Sequence, residues 1–181
     1  MLRNFLKEVR FYQELQDKLD IRTPRCYYAQ IIAEGPEFAA VMEDLAPAEQ
    51  GDQLLGCSPQ VARAAVQELV GLHGPGWCDE QLTSKDWLKA AEVVDVNAMR
   101  EMYRAQLPGF LERYGANLKA DEQAIIARVG EVEHAPLFDP LPETFSLVHV
   151  DYRLDNLLIL DQGDQIDVTV VDWQSITLGG F

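Results

Sequence analysis

The stretch LVHVDYRLDNLLIL, Leu147 to Leu160, sets a His, two Asp, an Arg and an Asn inside a run that would otherwise read as a buried strand. As a pattern it is His149-x-Asp151-x-x-x-x-Asn156, followed after a strand, a turn and a second strand by Asp172-Trp173-Gln174. Phosphoryl transfer from a nucleotide needs this set of groups. The transferring group carries dispersed negative charge, so the protein's task is positioning and neutralisation by a divalent cation. Hard cations such as Mg²⁺ take oxygen ligands, which Asn156 and Asp172 can supply. Asp151 can orient an acceptor hydroxyl and take its proton, a role worth ~10²–10⁴ in rate. Taken singly, an Asp or Asn at a strand end serves most often as a turn or cap residue. His-x-Asp-x-x-x-x-Asn arises by chance in such a chain on the order of one time in a hundred, before the later Asp172 is required.

The elements that must position these groups follow from periodicity. Leu2, Phe5, Leu6, Val9, Tyr12, Leu15 and Leu19 recur at helical spacing, so the chain opens on an amphipathic helix. RCYYAQII and FAAVMEDL, separated by AEGPE, form a hairpin, and since one hairpin is marginal alone it is expected to join a larger sheet. APAEQGDQLLGC is an irregular connector. Ser58-Pro59 then caps and starts a helix whose stripe is Val61, Ala65, Leu69 and Leu72, ending at HGPG. Further helices are expected within Ser84 to Val94, Val96 to Tyr114 and Asp121 to Glu133, with Pro108 kinking or splitting the second. In the last quarter DQGDQ is the turn between NLLIL and IDVTVVDW.

Composition narrows the partners. A net charge of −15 over 181 residues disfavours nucleic acid and anionic membranes, whose phosphates select Lys and Arg stripes. Cys26, Cys57 and Cys78 form neither a paired framework nor a zinc spacing, which points to a reducing compartment. No apolar run approaches the ~18 residues of a membrane span, so the expectation is a soluble, cytoplasmic protein. His73 reads as a helix C-terminal residue, His134 as a loop residue, and Asp161, Asp164 and Asp167 as a solvated turn without calcium-loop spacing.

LVHVDYRLDNLLI followed by VVDWQ closely resembles the catalytic and metal-binding motifs of the aminoglycoside phosphotransferase and choline kinase family, which has the protein-kinase-like fold. EVRFYQEL, FAAVMEDL, GDQLLGCS and LVGLHGPGW resemble its N-lobe helix, its hinge strand and the segments after them. The fold implied is α+β, with a mostly helical C-terminal lobe and short β-hairpins: residues 1–45 as a remnant of the N-terminal lobe and 46–181 as a truncated catalytic lobe. The resemblance implies Asp151 as catalytic base, His149 as a stabiliser of the catalytic loop and Arg153 as a charge-neutralising neighbour. It further implies Asn156 and Asp172 as magnesium ligands, Glu8 as the helix Glu that pairs with a nucleotide-binding Lys, and Glu43, Asp44 and Leu45 as the backbone that meets adenine. Trp173 stands where protein kinases carry Phe. The implied cofactors are ATP and Mg, and the partner is a hydroxyl-bearing small molecule, with oligomeric state open.

Such an enzyme also has N-lobe strands bearing the Lys and C-terminal helices beyond the metal-binding Asp. This sequence opens on the Glu8 helix and stops soon after Asp172, so it reads as the middle of a kinase. The expectation is a chain that is weakly stable or self-associating, and nearly inactive alone. The alternative is a degenerate, non-catalytic kinase-like binding module. A plain helical interaction protein with coincidental motifs is the third reading.

Overall fold

The computed structural model describes residues 4–33, 35–89, 96–131 and 141–180. In chain order the elements are α1 (Asn4–Glu14), β1 (Cys26–Ile31), β2 (Phe38–Met42), β3 (Glu49–Gln50), α2 (Pro59–His73), α3 (Glu80–Thr83), α4 (Val96–Tyr114), α5 (Ala120–Val129), β4 (Phe145–Val148), β5 (Leu157–Asp161), β6 (Ile166–Val170) and β7 (Thr177–Gly180). They form two compact units, Met1–Ala91 with Leu141–Phe181, and Glu92–Pro140.

In the first unit α1 buries Leu6, Val9, Phe11 and Tyr12, and Leu15 follows just beyond the helix. The expected stripe is thus present from Leu6 to Leu15; Leu2 lies outside the described residues, Leu19 is half-buried, and Phe5 is exposed and stacks on Phe38 with ring centroids 5.0 Å apart. The centre of the core is the stack of Phe11 on Trp173, with centroids 3.9 Å apart and planes 5° from parallel. Leu72, Leu88, Leu147, Leu157, Val168, Val170 and Ile176 close around these rings. Ser58 caps α2 by accepting the Val61 amide at 3.2 Å, a bond worth about 1 kcal/mol. Gly71 lets α2 approach the preceding chain: a Cβ there would lie 2.4 Å from the Ile21 amide nitrogen, and the Gly71 carbonyl accepts from Asp20 N at 3.0 Å.

Three small antiparallel sheets serve this core. β1 pairs with β2, β3 with β5 and β5 with β6, and β4 with β7. The β1–β2 hairpin appears as expected, but among the described residues it remains two-stranded rather than joining a larger sheet. β3, inside the segment read as irregular, and β7 carry too few apolar residues to signal strands and are defined by their partners. The DQGDQ turn lies between β5 and β6, closed by Gln162 N donating to Gln165 O at 2.9 Å and by Gly163 at φ 84°.

The helix expected from Ser84 is not formed within the described part of that span. Ser84 instead ends the short α3, whose first turn is capped by Asp79. The rest of that span, residues 90–94, lies outside the described residues, as does His134.

The second unit holds α4 and α5. α4 runs through Pro108 without splitting. α5 stops at Gly130 rather than reaching Glu133, because Arg104 Nε takes the Gly130 carbonyl at 2.9 Å and Tyr103 packs where a Cβ on Gly130 would sit, 3.2 Å away. Between these helices lies an apolar cleft of about 310 Å³ bordered by Tyr103, Leu107, Phe110 and Ile126.

Candidate active site

The stretch after β4 does not continue as a strand. His149 is buried, and Val150 takes φ 71°, the left-handed region that a β-branched residue enters only when its surroundings over-determine it. That turn brings Asp151 out of the strand direction, leaving its side chain about half exposed. Leu154–Asn156 then form one 3-10 turn, and Asn156, at its end, is buried. Its Nδ2 donates to the Asp151 carbonyl at 2.9 Å and to Asp151 Oδ2 at 3.1 Å. The side-chain amide therefore fixes both the backbone and one carboxylate oxygen of Asp151, and turns its own Oδ1 the other way. Arg153 Nε stands 3.5 Å from Asp151 Oδ1 and its Nη1 3.5 Å from Asp155 Oδ2. At those lengths, with half the side chain exposed, these are loose contacts worth little to stability.

Asp172 arrives from the other side of the β5–β6 hairpin. Val171 N donates to Asn156 O at 3.0 Å, so the two loops are joined through backbone. Asp172 sits at φ 65° and ψ 65°, a second non-glycine residue in the left-handed region. Strained residues of this kind concentrate where a side chain must be aimed. Gln174 Nε2 lies 3.3 Å from Asp172 Oδ2.

His149 ties the loops together from beneath. Its Nε2 lies 3.0 Å from the Val171 carbonyl, which can only accept, so Nε2 carries the proton and donates. Ser175 Oγ donates to the His149 carbonyl at 3.0 Å, and the imidazole meets Trp173 edge-on at 4.7 Å. Burial holds its pKa below the usual histidine value, against the opposing pull of the Val171 carbonyl and of Asp172 and Asp151. The ring is thus a neutral strut with a buried Nδ1 that has no hydrogen-bond partner among the described residues.

α1 supports the Asp172 loop along one edge. Lys7 Nζ donates to Ile176 O at 2.8 Å, and Phe11 stacks on Trp173. Glu8 lies between them. Burial first, and then the charge of Asp172, pushes its carboxyl up to about 7, partly offset by the amides of Trp173 and Gln174. Its Oε2 is buried without a partner among the described residues, as is the Tyr12 hydroxyl, one helical turn further along.

Of the residues singled out in the sequence, the structure brings His149, Asp151, Arg153, Asn156, Asp172 and Glu8 together. Glu43, Asp44 and Leu45 make local contacts at the end of β2: Glu43 Oε2 accepts from Arg25 N at 3.1 Å, Asp44 Oδ1 from Ala46 N at 3.0 Å, and the Leu45 carbonyl from Ala48 N at 2.9 Å. Lys7, Phe11 and Ser175 were not identified from the sequence. Lys7 and Phe11 lie on a helix already read as amphipathic, and Ser175 has no periodic signal.

Among the described residues no cluster of three or more His, Cys, Asp or Glu is arranged to hold a metal. The available donors are the Asp172 carboxylate and the Asn156 amide oxygen. That sparse oxygen set suits Mg²⁺, which keeps waters and substrate phosphates as its other ligands, rather than an all-protein cage.

No curated protein matches the sequence. Among solved structures, the gentamicin complex of APH(2″)-IIa aligns over 98% of this chain and 56% of its own, at 19% identity and a TM-score of 0.54. A protein from Ralstonia eutropha JMP134, described as a candidate aminoglycoside phosphotransferase, aligns over 98% of this chain and 50% of its own, at 18% identity and a TM-score of 0.48. The chain therefore spans about half the length of these solved relatives, and its architecture is the mixed helix and strand, protein-kinase-like fold. The family model described as "Phosphotransferase enzyme family" matches residues 2–180, and the chain belongs to that family.

Proposed function

We propose that this chain carries the catalytic centre of an ATP-dependent phosphotransferase that moves the γ-phosphate onto a hydroxyl of a small molecule. The observation that carries the reading is the pair of hydrogen bonds that Asn156 Nδ2 donates to Asp151, on a loop joined through Val171 N to the loop of Asp172. Asn156 occupies Asp151 Oδ2, and among the described residues Oδ1 has only the loose contact with Arg153. Oδ1 is therefore the oxygen left to accept the proton of the acceptor hydroxyl. The hydroxyl oxygen bonds to the γ-phosphorus as the bond to the β-phosphate oxygen breaks, and ADP leaves. Arg153, released from Asp151, supplies positive charge near the transferring group. Asn156 and Asp172 would hold Mg²⁺, which neutralises phosphate charge. His149 and Trp173 keep the loops at their spacing.

The test is magnesium-dependent ATP binding and turnover against a panel of hydroxyl compounds, using the chain and its Asp151→Asn variant. The expected result is turnover lowered by about 10²–10⁴ in the variant, with nucleotide binding kept. Equal turnover by both proteins would refute the role of Asp151. Nucleotide binding without turnover by either would favour a non-catalytic binding module.

A further inference from the structure

The connector after β2, from Glu49 to Cys57 (EQGDQLLGC), has a defined contact with the loop from Asp151 to Asn156. Its backbone pairs with β5 through Glu49 opposite Ile159 and Gln50 opposite Leu158, and Gly51 N donates to Leu157 O at 3.0 Å. The approach is close enough to require glycine: a Cβ on Gly51 would stand 2.7 Å from the Leu154 carbonyl oxygen. Two glutamines then grip the 3-10 turn. Leu154 N donates to Gln53 Oε1 at 3.0 Å while Gln53 N donates to Asp155 Oδ1 at 3.1 Å, a reciprocal pair resembling a helix capping box. Gln50 Nε2 donates to the Asp155 carbonyl at 2.6 Å. Asp52 stiffens the gripping segment by accepting the Leu54 and Leu55 amides at 2.8 and 3.0 Å.

The gripped turn ends in Asn156, whose side chain holds Asp151. A 3-10 turn of three residues has little hydrogen bonding of its own, so its position depends on outside partners. Nothing in the pattern His149-x-Asp151-x-x-x-x-Asn156 requires these glutamines, which lie about a hundred residues earlier in the chain. Both are exposed, so burial gives no reason for them.

We propose that Gln53, with Gln50 and Asp155, is a positioning residue that sets where Asn156, and through it Asp151, stands. The inference rests on the reading of Asn156 as a metal-holding residue, and the test separates the two. Four proteins are compared: the native chain and its Gln53→Leu, Asp155→Leu and Asp155→Asn variants. Asp155→Asn keeps an oxygen to accept Gln53 N but removes the charge facing Arg153. Amide hydrogen exchange at Leu154 and Asn156 is measured in the metal-free proteins, and Mn²⁺ affinity by titration. Asp172→Asn serves as the control for site-specific binding.

The expected result is exchange at those amides about tenfold faster and Mn²⁺ binding about fivefold to tenfold weaker in Gln53→Leu and Asp155→Leu, the loss of about one hydrogen bond. Asp155→Asn should stay within about twofold of the native chain on both readouts. Native exchange or native Mn²⁺ affinity in Gln53→Leu overturns the proposal. So does Asp155→Asn behaving as Asp155→Leu, which would assign the effect to the charge on Arg153. If the native chain shows no Mn²⁺ binding sensitive to Asp172→Asn, the metal reading fails instead, and the exchange rates alone decide the clamp.

Discussion

Replacing Glu8 with Gln should change how stability depends on pH, by an amount that follows from the carboxyl's position. In the folded chain its pKa is raised from 4.5 to about 7, first by burial and then by the charge of Asp172. A carboxyl whose folded pKa is raised favours the protonated folded state. Its contribution is therefore most favourable below pH 4.5, is lost as pH rises through the window from 4.5 to about 7, and is constant above it. At about 1.4 kcal/mol for each tenfold change in proton affinity, the loss across that window is about 3 kcal/mol. Gln keeps an oxygen for the amides of Trp173 and Gln174 but cannot ionise. Urea unfolding in chelator between pH 4 and 8 measures the effect as the difference between native and Glu8→Gln stabilities. The difference should grow by about 3 kcal/mol in favour of the variant from the acid to the alkaline end, while other titrating groups cancel. Parallel curves would refute the reasoning, and would mean that Glu8 is solvated or already paired with a cation.

Two further substitutions probe the frame of the site. Val150→Gly removes a β-branched side chain from φ 71°, and relief of that strain should outweigh the added chain entropy, raising stability by about 1 kcal/mol in thermal unfolding; a lower midpoint would show that packing, not strain, decides there. Phe11→Ala empties a fully buried site against Trp173 and should cost about 3–5 kcal/mol, read by urea unfolding, with a loss below about 1 kcal/mol contradicting the stack's place at the centre of the core.

Much of this arrangement was legible in the sequence because it obeys a period or a motif. The α1 stripe, the two hairpins, the Ser58 cap and the groups from His149 to Asp172 could all be read directly. What could not be read depends on partners distant in the chain. β7 is TLGG, with no alternation, and is a strand only because Phe145–Val148 lies beside it. The left-handed Val150 and Asp172 contradict local preference, so propensity would never have placed them there. Lys7 and Gln53 carry no motif or periodic signal, and their partners are backbone groups, Ile176 O and Leu154 N, which leave no mark in a sequence. In its described part the helix expected from Ser84 is replaced by the earlier α3 that Asp79 caps, and the helix expected to run to Glu133 stops early because Gly130 ends α5.

The pairing of β4 with β7 has a kinetic consequence. Val148 lies opposite Thr177, so a single antiparallel pair closes the chain around both loops, and every group from His149 to Ser175 lies between its strands. Closing a loop of about 30 residues costs little more than closing a shorter one, so the entropy of assembly is modest. The pair can hold, however, only when the intervening hairpin has already folded against it. Opening of the β4–β7 pair would therefore release the loop of Asp151 and that of Asp172 together, and the two should exchange their amide protons as one cooperative unit.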